Sequence, residues 1–269
     1  MLNIFKNSAH AAGCEILRIY ETEFATMEKD DGSPVTRADE AAEKVILQNL
    51  SEAFPEIPVI AEEEVAAGRI PVIGDRFILV DPLDGTREFI NRNGEFTVNI
   101  ALIENGAPVY GVVYAPALRK IYWGAKGEGA FMAEVTNDAI GPAHPISCRP
   151  APKAVIVFGS RSHMSQATQK IVDRCDGAKM VSAGSSLKFC RVAEGKADLY
   201  PRLGRTMEWD TAAGHAVVLA AGGKVIVEGG APLAYGKQNQ VSDSDYANPH
   251  FMVVGDESMI SQYGLSSNW

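Results

Sequence analysis

No stretch of this 269-residue chain approaches the roughly 18–20 consecutive apolar residues that would cross a bilayer. The start, MLNIFKNSAHAAG, carries one lysine and no sustained apolar core, so it does not read as a signal peptide. Cysteine is scarce. Cys14, Cys148, Cys175 and Cys190 lie far apart and form no CxxC, which argues against a disulfide framework and for reduced thiols in a cytosolic protein. Basic residues are outnumbered, 25 Lys and Arg against 34 Asp and Glu, for a net charge of −9. That balance excludes a nucleic-acid polymer as the expected partner, because backbone binding runs on Lys and Arg. It leaves room for a small phosphorylated ligand. Internal repeats, low-complexity linkers and a Walker A sequence are all missing. The glycines of GAKGEGAFM do not complete a dinucleotide fingerprint, since Met132 stands where the last Gly belongs.

What is present is an apolar content of 46%, enough for one large core or two packed halves. Apolar spacing predicts a helix over 4–27, then a polar loop, EKDDGSPVT, and a second helix from about Thr36. PVIA (58–61) and RFILV (76–80) read as strands that end directly on carboxylates. FTVNIALI-ENGA-PVYGVVYA reads as a hairpin on its Asn-Gly, and KIYWGA and GAFMA as further antiparallel strands. Beyond about residue 150, strand-like and helix-like segments alternate, which argues for an α/β second half. The expected division is 1–145, helices with a mainly antiparallel sheet, and 146–269, an α/β half.

Four acidic clusters stand at element ends: Asp39; Glu62 with Glu63 and Glu64; Asp81 with Asp84; and Asp210. Each has a local explanation. Thr36 and Asp39 have capping-box spacing, three glutamates in a row suit a solvated surface, Asp210 suits a helix cap, and DPLDG suits a turn. Together they suit a hard divalent cation, which takes oxygen ligands, and a pair of such ions can clamp a phosphoryl displacement. Asp81 and Asp84 would supply a bridge and one side, with the Leu83 carbonyl from the same turn.

DPLDGT, the acidic cluster about twenty residues upstream and a late WDTAAG resemble the inositol monophosphatase superfamily of Mg²⁺-dependent, often lithium-sensitive phosphatases. KDDGSPVTRAD and IAEEEVAAG resemble that family's first loop and its glutamate motif. SPVTRAD, FGSRSH, AGSSLKFCRVAEGKADLYPR and GRTMEWDTAAGHAVV resemble its 3′(2′),5′-bisphosphate nucleotidase subfamily. Arg205 departs from the pattern, where a proline is common. The resemblance implies a layered αβαβα sandwich. It implies two or three Mg²⁺ ions, with Glu62, Asp81, Leu83, Asp84 and Asp210 as metal ligands. Asp39, Thr86 and Glu62 would be catalytic, with Thr86 and Asp39 orienting the attacking water, and Glu63 a neighbouring acid.

The same resemblance puts Glu62, Leu83, Asp84, Gly85, Thr86, Arg161, His163, Ser186, Lys188 and Asp210 around the substrate, with Lys29 a further candidate. The implied reaction is removal of the 3′-phosphate of adenosine 3′,5′-bisphosphate, and of its sulfated form, by metal-activated water. An inositol or sugar phosphatase is the alternative. A non-catalytic cation-binding module is the rival from another class, and it would be expected to have lost at least one of Asp39, Glu62, Asp81, Asp84, Thr86 or Asp210, none of which is missing. A cytoplasmic monomer or homodimer is expected, with peripheral association at the inner membrane attributed to some relatives.

Overall fold

Period-3.6 and period-2 burial place the elements in a computed structural model, which describes residues 1–22, 26–28, 34–159, 166–175, 177–267 and 269. Helix α1 (Leu2–Tyr20) buries Phe5, Ala9, Ala12 and Ile16 along one stripe. The short strands β1 (Thr26–Glu28) and β2 (Pro34–Thr36) pair with each other and lead into α2 (Arg37–Ala53). Next come β3 (Val59–Ala61), α3 (Glu62–Ala66), β4 (Arg76–Asp84) and α4 (Thr86–Ile90). A run of hairpins follows: β5 (Thr97–Glu104), β6 (Ala107–Ala115), β7 (Lys120–Ala125), β8 (Gly129–Thr136), β9 (Ala139–Ile140) and β10 (His144–Ile146). The remainder is β11 (Ile156–Phe158), α5 (Gln166–Arg174), β12 (Lys179–Val181), α6 (Leu187–Ala193), β13 (Leu199–Arg202), α7 (Glu208–Ala220), β14 (Lys224–Val227), β15 (Phe251–Val254) and α8 (Ser258–Gln262).

Two sheets result. The first runs β10-β8-β7-β6-β5-β4-β3, antiparallel except for the parallel pair β3/β4. The second runs β12-β11-β13-β15-β14, parallel at its β12/β11/β13 side and antiparallel beyond. The chain passes from one to the other between Ile146 and Ile156. Strand β5 is buried on both faces. Val98, Ile100 and Leu102 pack with α1 and α2, while Ala101 and Ile103 join α6 and α7. That second cluster also takes in Tyr200, Val225, Phe251 and Val253 of the second sheet. Ile171, Val172 and Met259, from α5 and α8, cover the far face of the second sheet. The layers are therefore helices, sheet, helices, sheet, helices, as the resemblance implied. Gly111 lets α7 approach the first sheet, since a Cβ there would lie 2.4 Å from the Ala213 carbonyl oxygen.

Two local expectations need correction. The first helix stops at Tyr20 rather than near residue 27. Arg92 donates to the carbonyls of Tyr20 (2.5 Å) and Thr22 (2.6 Å), satisfying the helix end, and residues 26–28 are strand. DPLDG is not a turn. Strand β4 continues through it and pairs Asp81 with Asn99 and Asp84 with Thr97, so three steps on β4 oppose two on β5. The extra residue is a bulge, and Pro82, which has no N–H to give, sits inside it.

Candidate active site

The bulge explains the placement of the acids. Along β4, Ile78 and Val80 face α1 and α2, while Phe77 and Leu79 face α7. Period two puts Asp81 on the α7 side. The extra residue then flips the parity, so that Leu83 enters the α1–α2 core and Asp84 returns toward α6 and α7. The parallel register of β3 and β4 pairs Ala61 with Val80, so the next residues, Glu62 just past the end of β3 and Asp81 within β4, lie side by side. Helix α7 carries Asp210 in its first turn. One ligand oxygen each from Glu62, Asp81 and Asp210 lies within 4.8 Å of the others.

Asp84 is not part of that trio. Its Oδ2 accepts from Ser186 Oγ at 2.8 Å and from Asn99 Nδ2 at 3.5 Å. Burial, then the charges of Glu62, Asp84 and Asp210, hold the Asp81 carboxyl well above the usual carboxylate range against the pull of the Leu83 N–H. Asp210 is raised in the same way by burial, Asp84 and Glu62. Oxygen donors crowded in this way, with one almost fully buried, have the chemistry a divalent cation requires. The residues therefore fit such an ion.

Asp39 serves both of its readings at once. Its Oδ2 accepts from the Thr36 backbone N–H and hydroxyl, each at 2.8 Å, which is the capping box of α2. Its Oδ1 accepts from Thr86 Oγ1 at 3.2 Å, and the Leu83 carbonyl lies 3.3 Å from the same hydroxyl. Asp210 is the third residue of α7 rather than its cap, and its Oδ2 accepts the Met207 N–H at 2.8 Å. Gly85, at φ +91°, turns β4 into α4, and a side chain there would be strained by that conformation.

A cavity of about 640 Å³ opens beside the acids and includes Asp84, Asp210, Ser185, Lys188, Arg202 and Thr211 in its lining. Lys188 donates to the Ala183 carbonyl at 3.1 Å, and burial pushes its ammonium down to about 8. Ser186, expected to face a substrate, is buried, and its hydroxyl lies 2.7 Å from the Asp210 carbonyl as well as against Asp84. Arg161, His163 and Lys29 lie outside the described residues. Arg205 bonds Asp243 and Ser244, away from the acids.

Sequence reasoning missed Arg202 and Glu43, and reached Ser185 only as part of the stretch from Gly184 to Lys188 that the resemblance puts at the 5′-phosphate and sugar. Ser185 sits at φ 45°, unusual for serine, and its buried hydroxyl has no partner among the described residues. The same holds for the buried Nε of Arg202. Of the two it missed, only Arg202, a cation ending the apolar ADLYPR strand, left a trace in the sequence. Glu43, one helical turn after Asp39, is buried and accepts the Glu63 N–H at 2.8 Å.

Known proteins with this arrangement are numerous. The sequence profile of the inositol monophosphatase family matches residues 1–252. The chain is 45% identical over 250 residues to the 3′(2′),5′-bisphosphate nucleotidase CysQ of Salmonella typhimurium, covering 91% of this chain and 96% of that one. It is 43% identical over 255 residues to the same-named protein of Escherichia coli K12, covering 94% and 99%. The crystal structure of CysQ from Bacteroides thetaiotaomicron, itself described as a member of the inositol monophosphatase family, superposes with a TM-score of 0.79 at 38% identity over 95% of this chain and 97% of that one. An Anabaena inositol monophosphatase shares the fold, with a TM-score of 0.72 at 23% identity over 98% and 93%. With the layered sandwich, the strand-end acids and a profile match over nearly its whole length, this chain belongs to the inositol monophosphatase family.

Proposed function

We propose that the protein is a Mg²⁺-dependent 3′(2′),5′-bisphosphate nucleotidase that converts adenosine 3′,5′-bisphosphate to AMP and phosphate. The observation that carries the reading is one cavity holding two complementary sets of groups. Asp84 and Asp210 line its acidic side, with Glu62 and Asp81 grouped against Asp210, and Ser185, Lys188 and Arg202 offer donors to an anion. A substrate with a single phosphate leaves the second set idle, whereas a bisphosphate engages both. The names of the relatives support the same choice.

Glu62, Asp81, the Leu83 carbonyl, Asp84 and Asp210 would hold two or three ions. Bound Mg²⁺ supplies Lewis-acid polarisation and makes a water more acidic. The remaining work falls to the chain. Asp39, fixed by the capping box, accepts from the Thr86 hydroxyl, and that hydroxyl oxygen can then orient the attacking water. Gly85 and Thr86, at the start of α4, direct backbone N–H groups to the phosphoryl oxygens. Lys188, Arg202 and Ser185 hold the 5′-phosphate, so the ribose 3′-oxygen leaves from a fixed position. No cysteine or histidine nucleophile is required.

The product decides between ends of the substrate. Incubation with adenosine 3′,5′-bisphosphate should release phosphate and 5′-AMP, with no release after chelation of divalent metal. Formation of 3′-AMP, or undiminished release in the chelator, would overturn the reading.

A stability experiment tests the metal site without turnover. The folded pKa values of Asp81, Asp210 and Glu43 (about 7 for the last) lie above their unfolded values. The folded metal-free protein therefore binds protons that the unfolded chain has released, and its stability falls as pH rises from the carboxylate range through about 7. Mg²⁺ competes with the protons on Asp81 and Asp210. At about a hundredfold excess over its dissociation constant, it should contribute about 2.7 kcal/mol at pH 8, a melting shift of roughly 5–10 °C. The shift should be much smaller at pH 5. Equal shifts at the two pH values would contradict the site.

A further inference from the structure

Helix α2 carries two buried acids four residues apart, Asp39 and Glu43, on one face. Asp39 bonds Thr86 in the segment after β4. Glu43 reaches the segment after β3, where its Oε2 accepts the Glu63 N–H at 2.8 Å. The five-residue helix α3 begins at Glu62 and is capped by Ala61, which has no side-chain acceptor. A first-turn N–H of that kind is ordinarily satisfied by a capping side chain of the same segment. Here the acceptor comes from another helix. Burying a carboxylate beside Glu62, Glu63 and Glu64 is unfavourable, and burial with those three charges works against its ionisation. A carboxylate at that place calls for a role that a leucine could not fill.

We propose that Glu43 is a positioning residue for the metal site: by accepting the Glu63 N–H it fixes the first turn of α3, and with it the direction in which Glu62 leaves the end of β3. Glu62 has only that one turn to define its backbone before the exposed 67–69 segment. Strand β3, which precedes it, is three residues long at the sheet edge. Helix α2 then acts as a common rail, setting Glu62 and Thr86 relative to each other through two side chains. The role needs a hydrogen-bond acceptor of glutamate length and does not need a charge. The inference rests on the Mg²⁺ reading above.

The test compares wild type with Glu43→Ala, Glu43→Gln and Glu43→Asp by calorimetric titration with Mg²⁺ and by activity as a function of Mg²⁺ concentration. Supporting groups behind metal ligands typically contribute 10–100-fold in affinity. Glu43→Ala should weaken Mg²⁺ binding about tenfold or more, with kcat at saturating Mg²⁺ close to wild type. Glu43→Gln, whose amide oxygen still accepts, should stay within about threefold of wild type. Glu43→Asp keeps the charge but falls a methylene short, and should resemble alanine. If alanine fails to fold, the Gln and Asp variants carry the comparison. Wild-type affinity in Glu43→Ala or Glu43→Asp, or a Gln variant as weak as alanine, would overturn the role. Failure of the wild type itself to bind Mg²⁺ would instead sink the metal reading on which it rests.

Discussion

Asp81→Asn should cut turnover by at least about 10³-fold, comparable to or beyond the loss of a preorganised electrostatic group in other enzymes. Asp81 is 1% exposed and lies within 4.8 Å of Glu62 and Asp210, where the β3/β4 register and the parity of β4 put it. Asparagine has almost the same shape, and its amide oxygen can still accept the Leu83 N–H now bonded to Asp81 Oδ1 at 3.0 Å. The fold should therefore survive. The metal-free melting temperature should hold or rise, because the variant no longer buries a carboxyl among like charges. The stabilisation by Mg²⁺ should disappear. Near-wild-type turnover in a folded Asp81→Asn protein would refute the assignment of this carboxylate.

The second large effect concerns which phosphates are read. Replacing Lys188 or Arg202 by methionine should lower kcat/KM for adenosine 3′,5′-bisphosphate by about 10–100-fold each, the scale of a hydrogen bond to a charged group. Hydrolysis of 3′-AMP, which has no second phosphate, should change little. Lys188 adds a pH signature. Burial brings its ammonium down to about 8, so the KM for the bisphosphate should climb as pH passes that value. That rise should vanish in Lys188→Met. Equal losses on the two substrates would show that these cations support the fold or the acids rather than a second phosphate.

How much of this was legible in the sequence depended on the range of the interaction. Local patterns carried far. The stripe of Phe5, Ala9, Ala12 and Ile16, the Asn105-Gly106 hairpin and the stop at Gly222 are set by near neighbours. So is the arrival of acids at strand ends. Pairing between strands not joined by a tight turn was not visible. DPLDG has turn composition, and only the register against β5 reveals a strand with a bulge. Asp39 was read as either a cap or a participant in catalysis, but its two oxygens divide the tasks. Glu43 resembles any surface glutamate of a helix until α3 folds over it, and the left-handed backbone of Ser185 has no sequence signature.

The central claim is best tested by initial rates on three substrates at matched concentration: adenosine 3′,5′-bisphosphate, inositol 1-phosphate and fructose 1,6-bisphosphate, each with and without Mg²⁺. The cavity that joins Asp84 and Asp210, beside Glu62 and Asp81, to Ser185, Lys188 and Arg202 requires the nucleotide to be preferred, with kcat/KM higher by tenfold or more and full dependence on the metal. Higher kcat/KM for either sugar phosphate would contradict the account.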